Sequence, residues 1–272
     1  MMTNKPALLD ISKQDARLSL AYIYVAFAAF LIGIIAGVVQ GLQRAGLIHL
    51  PGGISYYQVL TAHGVLLALV FTTFFIFAFL YAGNSKTLGS LSATARKVAW
   101  WGFAVLTLGT VLAFVMILMD EATVLYTFYA PLQAHPLFYI GLALFVIGTW
   151  IAGGVLIAHY FKWKKAHKGE ITPLFGFMTV ATLLLWTIAT LGVAATVLLQ
   201  FIPWSLGISE GINILLSRTL FWYFGHPLVY FWVMPAYMAW YVVIPKLIGG
   251  RLFSDGLARL AFVLFLLFSI PV

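Results

Sequence analysis

Six stretches of this chain run for more than 20 residues without a formal charge, and no soluble domain interrupts them. They extend over Leu18 to Val39, Ile54 to Ala82, Val98 to Met119, Pro136 to Phe161, Leu174 to Phe201 and Phe221 to Pro245. A bilayer needs about 20 apolar residues per helix, so each run is long enough to cross one. Only helices or a closed barrel satisfy their backbone groups in hydrocarbon, and runs of this length predict helices. The expected fold is all-α, a polytopic transmembrane bundle of six complete spans. A seventh begins near Leu257 and reaches Val272 after 16 residues, about 24 Å of helix against about 30 Å of hydrocarbon, and is expected to be truncated. Residues 1–272 read as a single transmembrane domain.

Charge fixes the expected topology. Of the 15 Lys and Arg residues, all but Arg44 and Arg218 fall on one side if the N-terminus is cytoplasmic, as the positive-inside rule requires. The net charge of +8 is then explained by topology, and no nucleic-acid partner is expected. The run from Lys162 to Lys168 reads as a juxtamembrane anchor. With 8% charged residues and 63% hydrophobic ones, the chain has too little polar surface to cover a water-soluble core. There is no cysteine, which leaves histidine as the natural ligand for a transition metal. No phosphate-binding glycine motif occurs.

The polar residues inside the spans carry the functional signal. In Phe221 to Pro245, His226, Tyr230, Tyr237 and Tyr241 lie within about 60° of one another at 100° per residue, with Tyr223 on the same stripe. A stripe of this kind must face protein, cofactor or water. His226 and Tyr230 are one turn apart, so an imidazole and a phenol can meet over one metal or substrate. Pro227 and Pro235 leave the carbonyls of Tyr223 and Phe231 without helical partners. His63 lies in the second run, where Gly64 is expected to leave room for a flat group and Phe71, Phe74, Phe75 and Phe77 offer surface suited to a porphyrin or to plain packing. Gly33, Gly37 and Gly41, spaced at i, i+4 and i+8, predict a face for close helix packing. His49, His135, His159 and His167 read as structural or surface residues. Asp120 and Glu121 mark the outer end of the third span, facing a partner subunit or a bound group.

The string Gly225-His226-Pro227-Leu228-Val229-Tyr230 resembles the GHPxVY signature on the sixth helix of subunit I of haem-copper terminal oxidases. Thr61-Ala62-His63-Gly64 is similar to the T-x-H-G of that subunit's second helix, and the stretch Tyr241 to Lys246 after the sixth span fits as well. The resemblance implies that His226 is a copper ligand, that Tyr230 is joined to it and supplies a proton and an electron to dioxygen, and that His63 is an axial ligand of the low-spin haem iron. It implies a proton path through Tyr230, Tyr237 and Tyr241. Leu228 stands where A-type members carry a glutamate, which looks like the B-type (ba-type) branch.

On this resemblance the expected activity is that of a proton-translocating cytochrome-c oxidase, with low-spin haem, high-spin haem and copper as cofactors. The expected location is a prokaryotic plasma membrane, crossed several times. The implied partners are subunit II, small accessory subunits, membrane lipid and an electron donor, either cytochrome c or quinol. The family also needs a histidine pair on the seventh helix and two histidines on the tenth, so the chain is expected to act as an enzyme only when completed by further helices. The alternatives are a nitric oxide reductase of the same superfamily, against which Tyr230 argues, and a non-redox transporter with His226 lining a substrate path.

Overall fold

A computed structural model describes residues 11–270, and within them the chain is helical with no strand. Six helices have the length and apolarity of membrane spans: α1 Lys13–Arg44, α2 Tyr56–Leu88, α3 Ala93–Leu118, α4 Pro136–Ala166, α5 Leu174–Ser205 and α6 Ile214–Leu247. A shorter α7, Asp255–Ser269, follows. Lys5 and Asp10 of the polar N-terminal stretch, and the final Pro271 and Val272, lie outside the described residues. Helices α1, α3 and α6 begin five to seven residues ahead of their charge-free runs, because capping side chains and not hydrophobicity set their starts. Ser12, Ser92, Asn213 and Ser254 each accept a backbone N–H of the first turn. Ser55 and Gln58 form a reciprocal capping box at the start of α2, the arrangement that satisfies two otherwise orphaned donors. At the other end of α2, Gly89 turns the chain with φ 87°, a conformation that glycine adopts without steric cost.

Packing is closest between α3 and α4, where backbone meets backbone. A Cβ on Gly109 would lie 2.5 Å from the Gly141 carbonyl oxygen, so small residues set the approach of these helices, as is usual where lipid removes the hydrophobic drive to associate. On α1, Gly33 packs against Leu66 and Leu67 and Gly37 against His63, but Gly41 faces open space. The glycine face expected on α1 is thus two residues long. Aromatic rings fill the space between α1, α2 and α3: Tyr22 lies 4.9–5.9 Å from the rings of Phe74, Phe77, Tyr81 and Phe103. Phe74 and Phe77 are fully buried there, so they are core and do not present surface to a porphyrin.

Two features are tertiary and have no counterpart in the sequence reading. The connection between α3 and α4 is not a short loop: residues 119–135 fold back over the bundle and bury Ala122, Val124, Phe128 and Ala134. At the opposite end, Asp15 and Arg96 are not loose interfacial charges. Arg96 Nε donates to Asp15 Oδ1 at 2.8 Å, and Ser85 Oγ and Leu91 N donate to Asp15 Oδ2 at 2.8 and 3.1 Å. The carboxylate side chain is 2% exposed, and removing its cation would cost about 3–5 kcal/mol. This pair clamps α1, α2 and α3 together below the site.

Candidate functional site

His63 lies just ahead of a π-helical segment, Val65–Phe71, within α2, the kind of local widening that often accompanies a functional residue. Its Nδ1 is 2.9 Å from the Gly33 carbonyl oxygen on α1. A carbonyl only accepts, so Nδ1 carries the proton and Nε2 keeps its lone pair. Gly37, one turn along α1, lets the ring sit flush: a Cβ there would be 2.7 Å from Nδ1 and Cε1. The ring is therefore oriented by backbone and by the lack of a side chain.

A cavity of about 330 Å³ opens beside it, lined by Leu60, His63, Leu67, Ala68, Leu125 and Tyr126 together with Gly64. The space directly over Gly64 is taken by Tyr126, whose Cβ lies 2.9 Å from where a Gly64 side chain would start. The room attributed to this glycine thus admits a ring from the 119–135 connection, and the open volume lies beyond. Leu125 N donates to Thr61 Oγ1 at 2.9 Å, which pins this connection to α2 two residues before His63. Leu125 holds φ 63° and Asp120 φ 61°. Asp120 accepts from Ser55 Oγ at 2.7 Å, tying the start of the connection to the cap of α2.

α6 runs as one helix through Pro227, Pro235 and Pro245. The stretch Tyr241 to Lys246 is thus its last turns and not a turn after it; the chain leaves the helix at Gly249, φ 70°. His226 and Tyr230 meet as expected from their spacing, ring centroids 4.7 Å apart at 55°. His226 Nε2 is buried and has no hydrogen-bond partner, and Trp232 Nε1 on the same helix is in the same condition. Buried polar atoms are nearly always paired, so an orphaned imidazole nitrogen beside a phenol is the most telling atom of the site.

The tyrosine stripe is brought together with α7. Phe265 lies 6.0 Å from Tyr230 and 5.2 Å from Tyr237, Tyr237 lies 6.0 Å from Tyr241, and Phe262 is 6.4 Å from Tyr241. Tyr223 departs from the stripe and packs over Gly192 of α5. Below Tyr241 a cavity of about 440 Å³ is lined by Lys246, Arg251 and Asp255 among others, so the stripe runs from His226 to the end of the bundle that carries the basic connections. Buried Leu228 faces away from it, in the core.

The structure brings His226 and Tyr230 together but places His63 on a separate helix with its own cavity. Among the described residues no group of three or more His, Cys, Asp or Glu gathers to hold a metal. His135 caps α4 through Nδ1, His159 Nε2 meets the Gly89 carbonyl at 3.0 Å, and His167 stacks on Trp163. His49 is exposed in a connection. Sequence reasoning missed the Gly33 carbonyl, Tyr126 and Phe265. The glycine spacing on α1 was the only signal for the first, and nothing local marked the other two.

Residues 17–272 match the family described as cytochrome c and quinol oxidase polypeptide I. Cytochrome c oxidase subunit 1 of Thermus thermophilus is 41% identical over 266 residues, 95% of this chain and 47% of that one. Cytochrome c oxidase subunit 1 of Bacillus subtilis is 26% identical over 233 residues, 77% of this chain and 36% of that one. A cryo-EM structure of a heme-copper terminal oxidase dimer superposes with a TM-score of 0.90 at 41% identity, covering 96% of this chain and 46% of that one. The chain spans about half the length of these relatives.

Proposed function

The chain belongs to the cytochrome c and quinol oxidase polypeptide I family, and on that footing we propose that it provides the first spans of the catalytic subunit of a haem-copper terminal oxidase. The reaction is the reduction of dioxygen by four electrons and four protons to two waters, with cytochrome c or quinol as donor and proton translocation coupled to it. The observation that carries the reading is His226 Nε2, buried without a partner one turn from Tyr230. Imidazole suits copper and haem iron alike, and both histidines present the right chemistry: one nitrogen orphaned at His226, one freed at His63 by the bond to Gly33. In this reading His226 is a copper ligand and His63 an axial ligand of the low-spin haem. The remaining ligands to copper and to the haems would come from other helices of the assembled enzyme.

Bound haems and copper supply the electron transfer that side chains alone do not. The chain's own part is positioning and proton movement. Gly33 accepts from His63 Nδ1–H, which fixes the tautomer and raises the basicity of Nε2, as partners of ligating histidines generally do. Tyr230 holds a phenolic proton one turn from His226. Tyr237 and Tyr241 extend that line toward the cavity above Lys246, Arg251 and Asp255, the side from which protons enter if the N-terminus is cytoplasmic. Leu228, where A-type members carry a glutamate, supports the B-type branch with this single path, and the setting in this reading is a prokaryotic plasma membrane, beside subunit II and accessory subunits. The test is an optical spectrum with metal analysis of the assembled protein. Native protein should show two haems and copper, and the His226→Ala variant should lose copper while the low-spin haem stays. Absence of haem from the native protein would overturn the reading.

A further inference from the structure

A cavity of about 500 Å³ lies between α3 and α4 and is lined by neither His63 nor His226. Its polar end is formed by Ser92, His159 and Lys162, and its walls by apolar residues that include Val98, Gly154 and Trp150. No acidic residue lines it. Ser92 Oγ accepts from Ala95 N and keeps its own proton to donate. His159 is anchored through Nε2 to the Gly89 carbonyl, which fixes the rim, and Lys162 is exposed. From Lys162 to Trp150 the groove follows α4 for 12 residues, about 18 Å at 1.5 Å per residue. That is close to half of a hydrocarbon core about 30 Å thick. The groove therefore starts where a headgroup sits and ends near the bilayer centre, the depth of one leaflet.

We propose that this groove is a binding site for one anionic phospholipid, its phosphate held by Lys162 and Ser92 and an acyl chain lying over Gly154 toward Trp150. Basic pockets between transmembrane helices on the cytoplasmic side suit such headgroups. A polypeptide helix is the poorer occupant. The apolar face that a transmembrane helix turns to its neighbours offers no anion to Lys162, whereas a phospholipid supplies one at the depth of its headgroup. The proposal rests on the membrane-spanning fold and not on the oxidase reading.

The floor of the groove offers a clean variant, because a Cβ on Gly154 meets nothing within 4 Å. Gly154→Leu fills the groove without pressing on the protein, and Lys162→Gln removes the charge. The assembled protein containing this chain, purified in detergent, is offered equimolar phosphatidylglycerol and phosphatidylcholine, and retained lipid is counted by native mass spectrometry, with thermal stability as the check on folding. Native protein should retain one phosphatidylglycerol in preference to phosphatidylcholine. Lys162→Gln should lower that occupancy roughly fivefold, the worth of one lysine at an anionic surface, and Gly154→Leu should abolish it at unchanged stability. Equal retention of the two lipids, or retention that neither variant alters, overturns the proposal. So does a Gly154→Leu variant that loses assembly while keeping its lipid, which would mean that protein fills the groove.

Discussion

His63 and His226 occupy helices of similar length, 33 and 34 residues, yet the bundle supports their rings in different ways. The ring of His63 is held from behind by another helix, with Gly33 accepting its proton and Gly37 standing aside. Its free nitrogen belongs to a side of the ring that faces a cavity. The ring of His226 touches Tyr230 of its own helix, and its Nε2 is buried with nothing to bond. Orientation at the first ring is a tertiary property, so changes 30 residues away on α1 should reach it. Orientation at the second is a property of one helical turn, and its polar atom stays costly until a ligand satisfies it.

The contrast breaks most decisively at the first ring. His63→Ala should abolish the low-spin haem spectrum in the assembled protein while the helices still pack, because the ring's contacts are one hydrogen bond, worth about 1 kcal/mol, and a glycine surface. Difference spectroscopy together with thermal unfolding checks both halves, and an unchanged low-spin band would remove His63 from the site. At the second ring, Tyr230→Phe should keep copper, as measured by metal analysis, and lower dioxygen reduction by at least about 100-fold, the usual scale for losing a positioned proton donor. Turnover within a few-fold of the parent would leave the His226 and Tyr230 turn with no catalytic meaning.

What was legible in the sequence follows the same division. The spans were readable because hydrophobic length is a local property, and the pairing of His226 with Tyr230 because i and i+4 neighbours meet on any helix. Tertiary contacts were not. Phe74 and Phe77 look from their spacing like a surface for a flat ring, but their real partner is Tyr22 on α1, and only packing shows that. Gly64 reads as space, which the structure fills with Tyr126 from a connection that the sequence presents as an ordinary loop. The pairing of Asp15 with Arg96, 81 residues apart, leaves no periodic trace. Tyr223 shares the angle of the stripe but meets α5, since a neighbouring helix and not the angle alone decides what a residue faces.

The glycines behind His63 sharpen the comparison further. A methyl on Gly37 would fall 2.7 Å from the imidazole, whereas one on Gly33 would meet the Leu67 side chain at 2.6 Å, which can turn aside, and Leu66 Cβ at 3.3 Å, which need give only a few tenths of an ångström. Gly37→Ala should therefore shift the low-spin band and cut haem occupancy by about tenfold, the equivalent of about 1.4 kcal/mol. Gly33→Ala, whose carbonyl is retained, should stay within about twofold. Haem titration of the two variants separates them. Equal effects would mean that α1 supports α2 generally and does not orient this ring.

The smallest expected effect lies at the far end of the stripe. Tyr237 and Tyr241 are half-buried, pack at an angle against Phe265 and Phe262 of α7, and lie between Tyr230 and the cavity above Lys246 and Asp255. If their hydroxyls pass protons inward, Tyr237→Phe or Tyr241→Phe keeps the ring packing and removes one link of the line. Water in the adjoining cavity can partly replace a hydroxyl, so turnover should fall by about two- to tenfold, the rate equivalent of one hydrogen bond. Electron entry at the low-spin haem should be untouched, because the ring of His63 is held by α1 and not by the tyrosine stripe of α6. Stopped-flow spectroscopy resolves the two steps. Slower reduction of the low-spin haem with unchanged proton uptake would show the two regions to be mechanically coupled, and would make the tyrosines packing residues and not a path.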